Sequence, residues 1–356
     1  MKLFVNREVH TGKALKRLSD ESTSIDSMAK AANTGVQDFL LKMENLTYSP
    51  TEFILDCLNH SEQRSFITAV VFLIYLVTLV GNVLVILVIM LDHQLQSPMY
   101  FYIGILACID LTCSTNIIPR MLSAVLFDRV VPKIACFAQL YTLHHLEVMQ
   151  TFLLTFMAYD RYVAVVNPLR YPSIITNRTV AASFVLSNIL GLIAVIPFVL
   201  LASGLHFCRT NVVPYCMCDH ATMVRIACVD YITYLIPGST VCALFLLFPL
   251  GTIIFSYSKI VQAVLKISSK EGRRKTFSTC LTHLMVVGIF YIPLFIAYVL
   301  PSTGTTAEDY NVIAIIPCII PPMFNPVIYS FRNKEIKKGI IKLVCKRRIV
   351  PESNKH

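Results

Sequence analysis

The chain has 356 residues, 55% of them hydrophobic and only 15% charged, with a formal net charge of +10. A soluble domain carries about 25% charged residues, so this composition excludes a protein whose whole surface faces water. The positive charge gathers at the ends of apolar runs, which points away from nucleic acid and toward anionic lipid and a cytosolic protein partner.

Residues 1–42 are polar, carry seven Lys/Arg and lack the apolar core of about 7–15 residues that a signal peptide needs. We read them as a disordered, non-native or alternative-start extension before Met43. Residues 43–65 then form an extracellular N-terminus. Asn45-Leu46-Thr47 and Asn59-His60-Ser61 fit the glycosylation pattern. Asn45 is the better acceptor because it stands farther from the membrane. Asn177-Arg178-Thr179 matches by chance, on the opposite side.

Seven apolar runs follow within 66–331: Phe66–Leu91, Met99–Leu122, Phe137–Tyr159, Val180–Ala202, Leu235–Tyr257, Thr276–Leu300 and Tyr310–Phe331. Each is close to the ~20 residues of helix that cross a bilayer. Inside lipid every backbone polar group must be paired within its own element, so the runs are read as helices. The second and third carry polar residues and are weaker by hydropathy. Segments on one side of the seven spans (Asp92–Pro98, Asp160–Thr179, Ser258–Lys275 and the tail from Arg332) hold 18 Lys/Arg, against 4 in the opposite loops. The positive-inside rule makes the richer side cytoplasmic and, from Met43 onward, leaves the N-terminus outside. The expected architecture is an all-α, multi-pass plasma-membrane bundle.

Ionisable residues inside spans are costly and face the bundle interior. Asp110 lies in the second span, Glu147 in the third with His144 and His145 one turn outward, and Asn82 and Asn325 in the first and seventh. Two readings stand: a satisfied polar network that holds helices in register, or a switch that repacks on binding. Residues 332–356 read as a cytoplasmic tail. Ile336, Ile340, Leu343 and Val344 form one stripe there, with Lys337, Lys338, Lys342 and Lys346 around it, as in a helix lying on the inner leaflet. Cys345 is a candidate for palmitoylation.

Of the 12 cysteines, Cys136 ends the third span on the outer side, and Cys208, Cys218 and Cys228 share one outer loop. Oxidising surroundings favour pairing, and spacing alone leaves all three connectivities open. Cys216, with Cys218, Asp219 and His220, has the composition of a metal-ligand cluster. The plainer expectation is a free thiol at Cys216 and no metal.

The third span ends Met157-Ala158-Tyr159-Asp160-Arg161-Tyr162-Val163-Ala164-Val165-Val166-Asn167-Pro168-Leu169-Arg170-Tyr171. The sixth opens Thr276-Phe277-Ser278-Thr279-Cys280-Leu281-Thr282-His283. The seventh ends Pro321-Pro322-Met323-Phe324-Asn325-Pro326-Val327-Ile328-Tyr329-Ser330-Phe331-Arg332-Asn333. With Gly81-Asn82, Pro98-Met99-Tyr100 and Ser256-Tyr257, this ordered set resembles the odorant receptors of the rhodopsin-like, G-protein-coupled class, from Met43 to about Arg348.

That resemblance implies a seven-transmembrane receptor, not an enzyme. It would bind a small odorant and activate a heterotrimeric G protein of the stimulatory olfactory type, raising cAMP. Arg161 would pair with Asp160 at rest and line the G-protein cleft when active, with Tyr162, Tyr257, Asn325, Pro326 and Tyr329 as the moving parts. Asn82, Asp110 and Asn325 would form the buried polar cluster. At position 150 the family's usual Glu is Gln150, which argues against sodium there, and no other cofactor is implied. The chain has no Trp, and Tyr291 replaces the Trp switch common in rhodopsin-like receptors, as is usual in odorant receptors. The implied disulfides are Cys136–Cys218 and Cys208–Cys228. Helical spacing sets Leu143, His144, Glu147 and Val148 on neighbouring faces. The resemblance turns them toward a ligand cavity in the outer half of the bundle, joined by Val241, Cys242, Phe245, Tyr291, Phe295, Tyr298, Ile315 and Cys318. Glu147 would either pair with His144 or receive a cationic or hydrogen-bond-donating ligand group. The competing functions are a rhodopsin-like receptor for another small ligand and, from a different class, a transporter or channel. The latter would show internal repeats or broken half-helices, and neither is present.

Overall fold

The structure is a computed structural model that describes residues 50–57, 64–207, 210–229, 231–299 and 307–345. In chain order the elements are strand β1 (Glu52–Leu55), helices α1 (Arg64–Leu91) and α2 (Pro98–Leu126), strand β2 (Val130–Pro132), α3 (Lys133–Val166), a one-turn helix α4 (Tyr171–Ile174) and α5 (Asn177–Ser203). Strand β3 (Val212–Val213), α6 (His220–Ile226), α7 (Tyr231–Leu265), α8 (Lys270–Val299), α9 (Ala307–Arg332) and α10 (Lys334–Cys345) follow.

Seven long helices, α1, α2, α3, α5, α7, α8 and α9, form the bundle. Among the described residues, all but α3 are long and apolar enough to cross a membrane on composition alone. The third span, α3, has 34 residues and so the length, but carries the His, Glu, Gln and Asp side chains that lower its hydropathy. It also runs through Asp160-Arg161-Tyr162 to Val166, so these three residues are helical rather than part of a loop as expected.

Local chemistry sets the helix ends. Pro98 occupies the first turn of α2, where its missing N–H is not needed. At α5, Thr176 and Thr179 cap each other reciprocally. Asn333 Oδ1 accepts from the backbone N–H of Glu335 (3.1 Å) and Ile336 (3.3 Å), ending α9 and starting α10 within one residue.

Prolines inside the spans free carbonyls that need other donors. Pro326 cannot donate to the carbonyl of Pro322; the Asn82 side-chain amide of α1 donates to it instead, at 2.9 Å. Gly81 makes this possible, because a Cβ there would come within 2.9 Å of Pro326 Cγ. Pro249 likewise frees the carbonyl of Phe245, and the Thr151 hydroxyl of α3 donates to it at 3.4 Å.

The end of the bundle away from Arg161 is covered by a three-stranded sheet of order β2-β1-β3. The central β1 runs antiparallel to β2, with Phe53 opposite Val131, and parallel to β3, with Ile54 opposite Val212. Phe53 and Leu55 are fully buried, and Phe53 packs edge-to-face on Phe207 at 5.1 Å. The segment before the first span is therefore a structural part of this end, which its sequence did not announce.

The tail helix α10 buries Ile336 and Gly339, and a Cβ at Gly339 would collide with Val88. Of the expected apolar stripe, Ile336, Ile340 and Leu343 turn inward, while Val344 is exposed beside Ile341.

Candidate functional site

Three sites align along the bundle. The first lies near the disulfide-bearing end. A cavity of about 30 Å³ is lined there by His144, Glu147 and Val148 of α3, Ala194, Val195 and Phe198 of α5, His220 of α6, Val241, Phe245 and Leu246 of α7, and Tyr298 of α8. Six of the twelve residues expected at a ligand cavity thus meet: His144, Glu147, Val148, Val241, Phe245 and Tyr298.

The others lie elsewhere. Leu143 is buried in the main core. Tyr291 sits just outside the lining; its hydroxyl donates to the carbonyl of Leu246 at 3.4 Å. Phe295 is 65% exposed on the outer surface while its neighbour Leu294 is 2% exposed. The buried stripe of α8 runs Val287, Phe290, Leu294, so Phe295 turns about 100° away from it. Ile315 packs with Ile319, Val71, Ile118 and Met121, on the face of α9 toward α1 and α2. Cys318 is buried in the core beside Cys113. The side chain of Cys242 lies outside the described residues. The contributions of α5 and α6 were missed because the buried face of α5 is marked by small residues, Ser183, Ser187, Gly191 and Ala194, rather than by a large apolar stripe.

Glu147 pairs with His144: Nδ1 and Oε2 are 2.9 Å apart. Within this lining, His144 Nε2 and both nitrogens of His220 have no partner among the described residues. His220 packs edge-to-face against Phe198 at 5.4 Å. Burial pushes its pKa down to about 4; nearby His144 adds to this and Asp219 opposes it. The His220 imidazole is therefore neutral near pH 7, with one donor and one acceptor buried and unsatisfied.

Disulfides shape this end. Cys136 is bonded to Cys218, as the resemblance implied. Cys216 is not a free thiol, as expected from its sequence, but is bonded to Cys57. The parallel register of Leu55 with Val213 explains it: two or three residues further along each strand, Cys57 and Cys216 come side by side. With Cys216 and Cys218 both bridged, neither is available to a metal. Cys228 is disulfide-bonded; its expected partner Cys208 lies outside the described residues, as do Asn45 and Asn59. Gln139 anchors the Cys218 loop. Its Oε1 accepts from the Cys218 N–H at 2.9 Å, and it exchanges side-chain-to-carbonyl bonds with Asn116 of α2.

The second site is the buried polar cluster. Asp110 is fully buried; Asn325 donates to its Oδ2 at 2.9 Å and Gln150 to its Oδ1 at 3.3 Å. Each Asp110 oxygen accepts from one amide, and Gln150 brings an N–H donor where a second carboxylate would have added negative charge. Asn82, expected in this cluster, instead spans from the carbonyl of Thr78 to that of Pro322 and reaches it only through the backbone of α9.

The third site is a cavity of about 720 Å³ at the opposite end, lined by Asp160, Arg161, His283, Tyr329 and Arg332 among others. Arg161 binds Asp160 through Nε (3.0 Å) and Nη2 (2.7 Å). The other Asp160 oxygen accepts from the Tyr171 hydroxyl of α4 at 2.8 Å. Tyr171 stands in the quoted motif but had no assigned role; here it is the second clamp on Asp160. Burial, with Asp160 adding, raises its pKa, so it remains a donor at any physiological pH. Tyr257 is hydrogen-bonded to His283 Nδ1 at 2.8 Å, linking α7 to α8. Tyr162 stacks on Tyr159. The Tyr329 hydroxyl and Asn325 Oδ1 are buried with no partner among the described residues.

Comparison with known proteins matches residues 71–347 to the model of a family described as olfactory receptor. Similar curated proteins include Olfactory receptor 8H1 of Homo sapiens, 39% identical over 83% of this chain and 96% of its own. Others are Olfactory receptor 1 of Rattus norvegicus, 37% identical over 77% and 88%, and Olfactory receptor 1E16 of Mus musculus, 35% identical over 81% and 92%.

Proposed function

This chain belongs to the olfactory receptor family, whose members are odorant-sensing G-protein-coupled receptors and not enzymes. From that premise we propose that it binds a small, mostly apolar odorant carrying one hydrogen-bonding group in the cavity around His144 and His220. In this reading the ligand's signal passes through the Asp110 cluster to Arg161 and to a stimulatory G protein of the olfactory type, raising cAMP. The sheet and disulfide end faces outward and the Arg161 end faces the cytosol, as the Lys/Arg distribution requires.

One observation carries the ligand reading. The apolar cavity is lined by His144 and His220, whose Nε2 and two ring nitrogens, respectively, are buried with no partner among the described residues. A buried polar group without a partner is costly, and a ligand hydroxyl or carbonyl would relieve that cost. Glu147 already has His144, so an amine is less favoured than an alcohol, aldehyde or ketone. The cavity of about 30 Å³ is far below the ~300 Å³ or more typical of ligand pockets. Binding must therefore displace side chains, and Phe245 and Tyr298 line the side toward α7 and α8. Ligand contacts that are better with these helices apart would favour the signalling state.

The test is a panel of matched alcohols, ketones, amines and hydrocarbons on cells expressing wild type, His220→Leu or Glu147→Gln, with cAMP as readout. His220→Leu is expected to weaken oxygenated ligands by about tenfold, the worth of one buried hydrogen bond, and to spare hydrocarbons. An unchanged ranking across the panel in His220→Leu overturns the assignment. Selective loss of amines in Glu147→Gln would instead favour recognition by the carboxylate.

A further inference from the structure

Outside the three sites, a crevice of about 520 Å³ opens between the Arg161-end halves of α7 and α8. Its walls are apolar: Val261, Val264 and Leu265 on one side, Phe277, Leu281 and Leu284 on the other. Lys270, Arg273 and Arg274 also line it. Among the described residues, none of the three enters an ion pair. Glu271, the carboxylate next to them in sequence, lines the neighbouring cavity with Asp160 and Arg161, and Arg274 borders both.

We propose that this crevice is a binding site for an anionic phospholipid, with its phosphate on Lys270, Arg273 and Arg274 and one acyl chain between α7 and α8. Three observations select this occupant. Val261, Leu265, Phe277 and Leu284 are partly exposed on the outer surface of spanning helices, so what fills the crevice enters from the membrane. From Arg273 to Leu284 the α8 wall rises roughly 16 Å, close to the ~15 Å of one leaflet's hydrocarbon. The cations stand at one end only, where a headgroup would sit, and no carboxylate lines the crevice to favour a zwitterionic headgroup's amine. Anionic lipid is concentrated in the cytoplasmic leaflet, so the site's use in a cell rests on the orientation proposed above. The binding experiment does not depend on it.

The chain contains no Trp, so Phe277→Trp or Leu281→Trp places a single reporter in the crevice, and Phe248→Trp places one on the exposed surface of α7. Each full-length variant is reconstituted in bilayer nanodiscs containing brominated-chain phosphatidylserine or brominated-chain phosphatidylcholine at equal mole fraction. Both crevice reporters are expected to be quenched preferentially by the anionic lipid, and Phe248→Trp equally by the two. Adding Lys270→Gln and Arg273→Gln should reduce the preference about fivefold for each cation removed. Equal quenching at both crevice positions, or a preference that survives the double substitution, overturns the proposal. Loss of cAMP signalling with the lipid preference intact would instead count against the receptor mechanism and leave the lipid site standing.

Discussion

His144, Glu147 and His220 show how one neighbour changes the meaning of a residue. Glu147 was the sharpest side chain in the third span, yet its carboxylate is already engaged by His144 one helical turn away. The unsatisfied chemistry sits on His220, delivered by a short loop helix whose N-cap, Asp219, accepts from Thr222 at 2.6 Å. This has a pH consequence. A histidine whose folded pKa lies near 4, against 6.5 unfolded, binds fewer protons folded than unfolded between those values. Stability is then lost as pH falls from about 6.5 toward 4, by up to about 3 kcal/mol. Thermal unfolding of purified receptor should therefore drop more steeply with acidification in wild type than in His220→Gln. Parallel pH profiles would show that His220 is not the group responsible. On the Arg161 side, Tyr171→Phe removes one of the two clamps on Asp160. Ligand-independent cAMP is expected to rise in that variant, and an unchanged basal level would count against a restraining role for Tyr171.

Between elements, the proline-freed carbonyls are the points where one helix depends on another. Asn82 of α1 serves the carbonyl that Pro326 cannot, and Gly81 gives α1 room to approach. Asn82→Leu is expected to cost about 1–2 kcal/mol, the range of an interhelical polar contact in a membrane. It would be seen as a lower unfolding midpoint in detergent. Gly81→Val should cost more, because the new side chain meets the Pro326 ring rather than a flexible group. A Gly81→Val midpoint equal to wild type would mean that α1 and α9 are free to separate. These motifs were legible in the sequence as paired signatures, Gly-Asn in the first span and Asn-Pro in the seventh. Their linkage was not, because Asn82 and Pro322 are 240 residues apart. The same separation explains why Asn82 was expected beside Asp110: membership of a polar set can be read from residue type, but the partner of each member depends on helix rotation.

For the whole molecule, the end away from Arg161 is stapled more thoroughly than the motifs imply. Cys136–Cys218 ties the loop to α3, and Cys57–Cys216 ties the segment before α1 to the same loop. Cys218→Ser is expected to be retained inside the cell. Cys57→Ser and Cys216→Ser should lower surface expression equally, and the double variant should be no worse than either single one, because each breaks the same bond. Normal expression of Cys216→Ser would remove the staple from the folding account. Signalling is a separate readout: Arg161→Ala should reach the surface and give little cAMP, whereas full signalling would place G-protein coupling elsewhere.

The sequence by itself determined the seven-helix membrane bundle, the family and the Asp160–Arg161 pairing. Lipid permits few backbone solutions, and short-range signals such as Asp160-Arg161-Tyr162 act within one or two turns of one helix. Only the tertiary structure decided which cavity residues meet. Phe295 and Leu294 are adjacent in sequence, yet the 100° step of the helix sends one outward and the other into the core. It also decided the Cys57–Cys216 bond and the sheet behind it. That bond joins positions 159 residues apart through a parallel strand pairing, and such a register is set by what the loop and the N-terminal segment bury together, which no local pattern encodes.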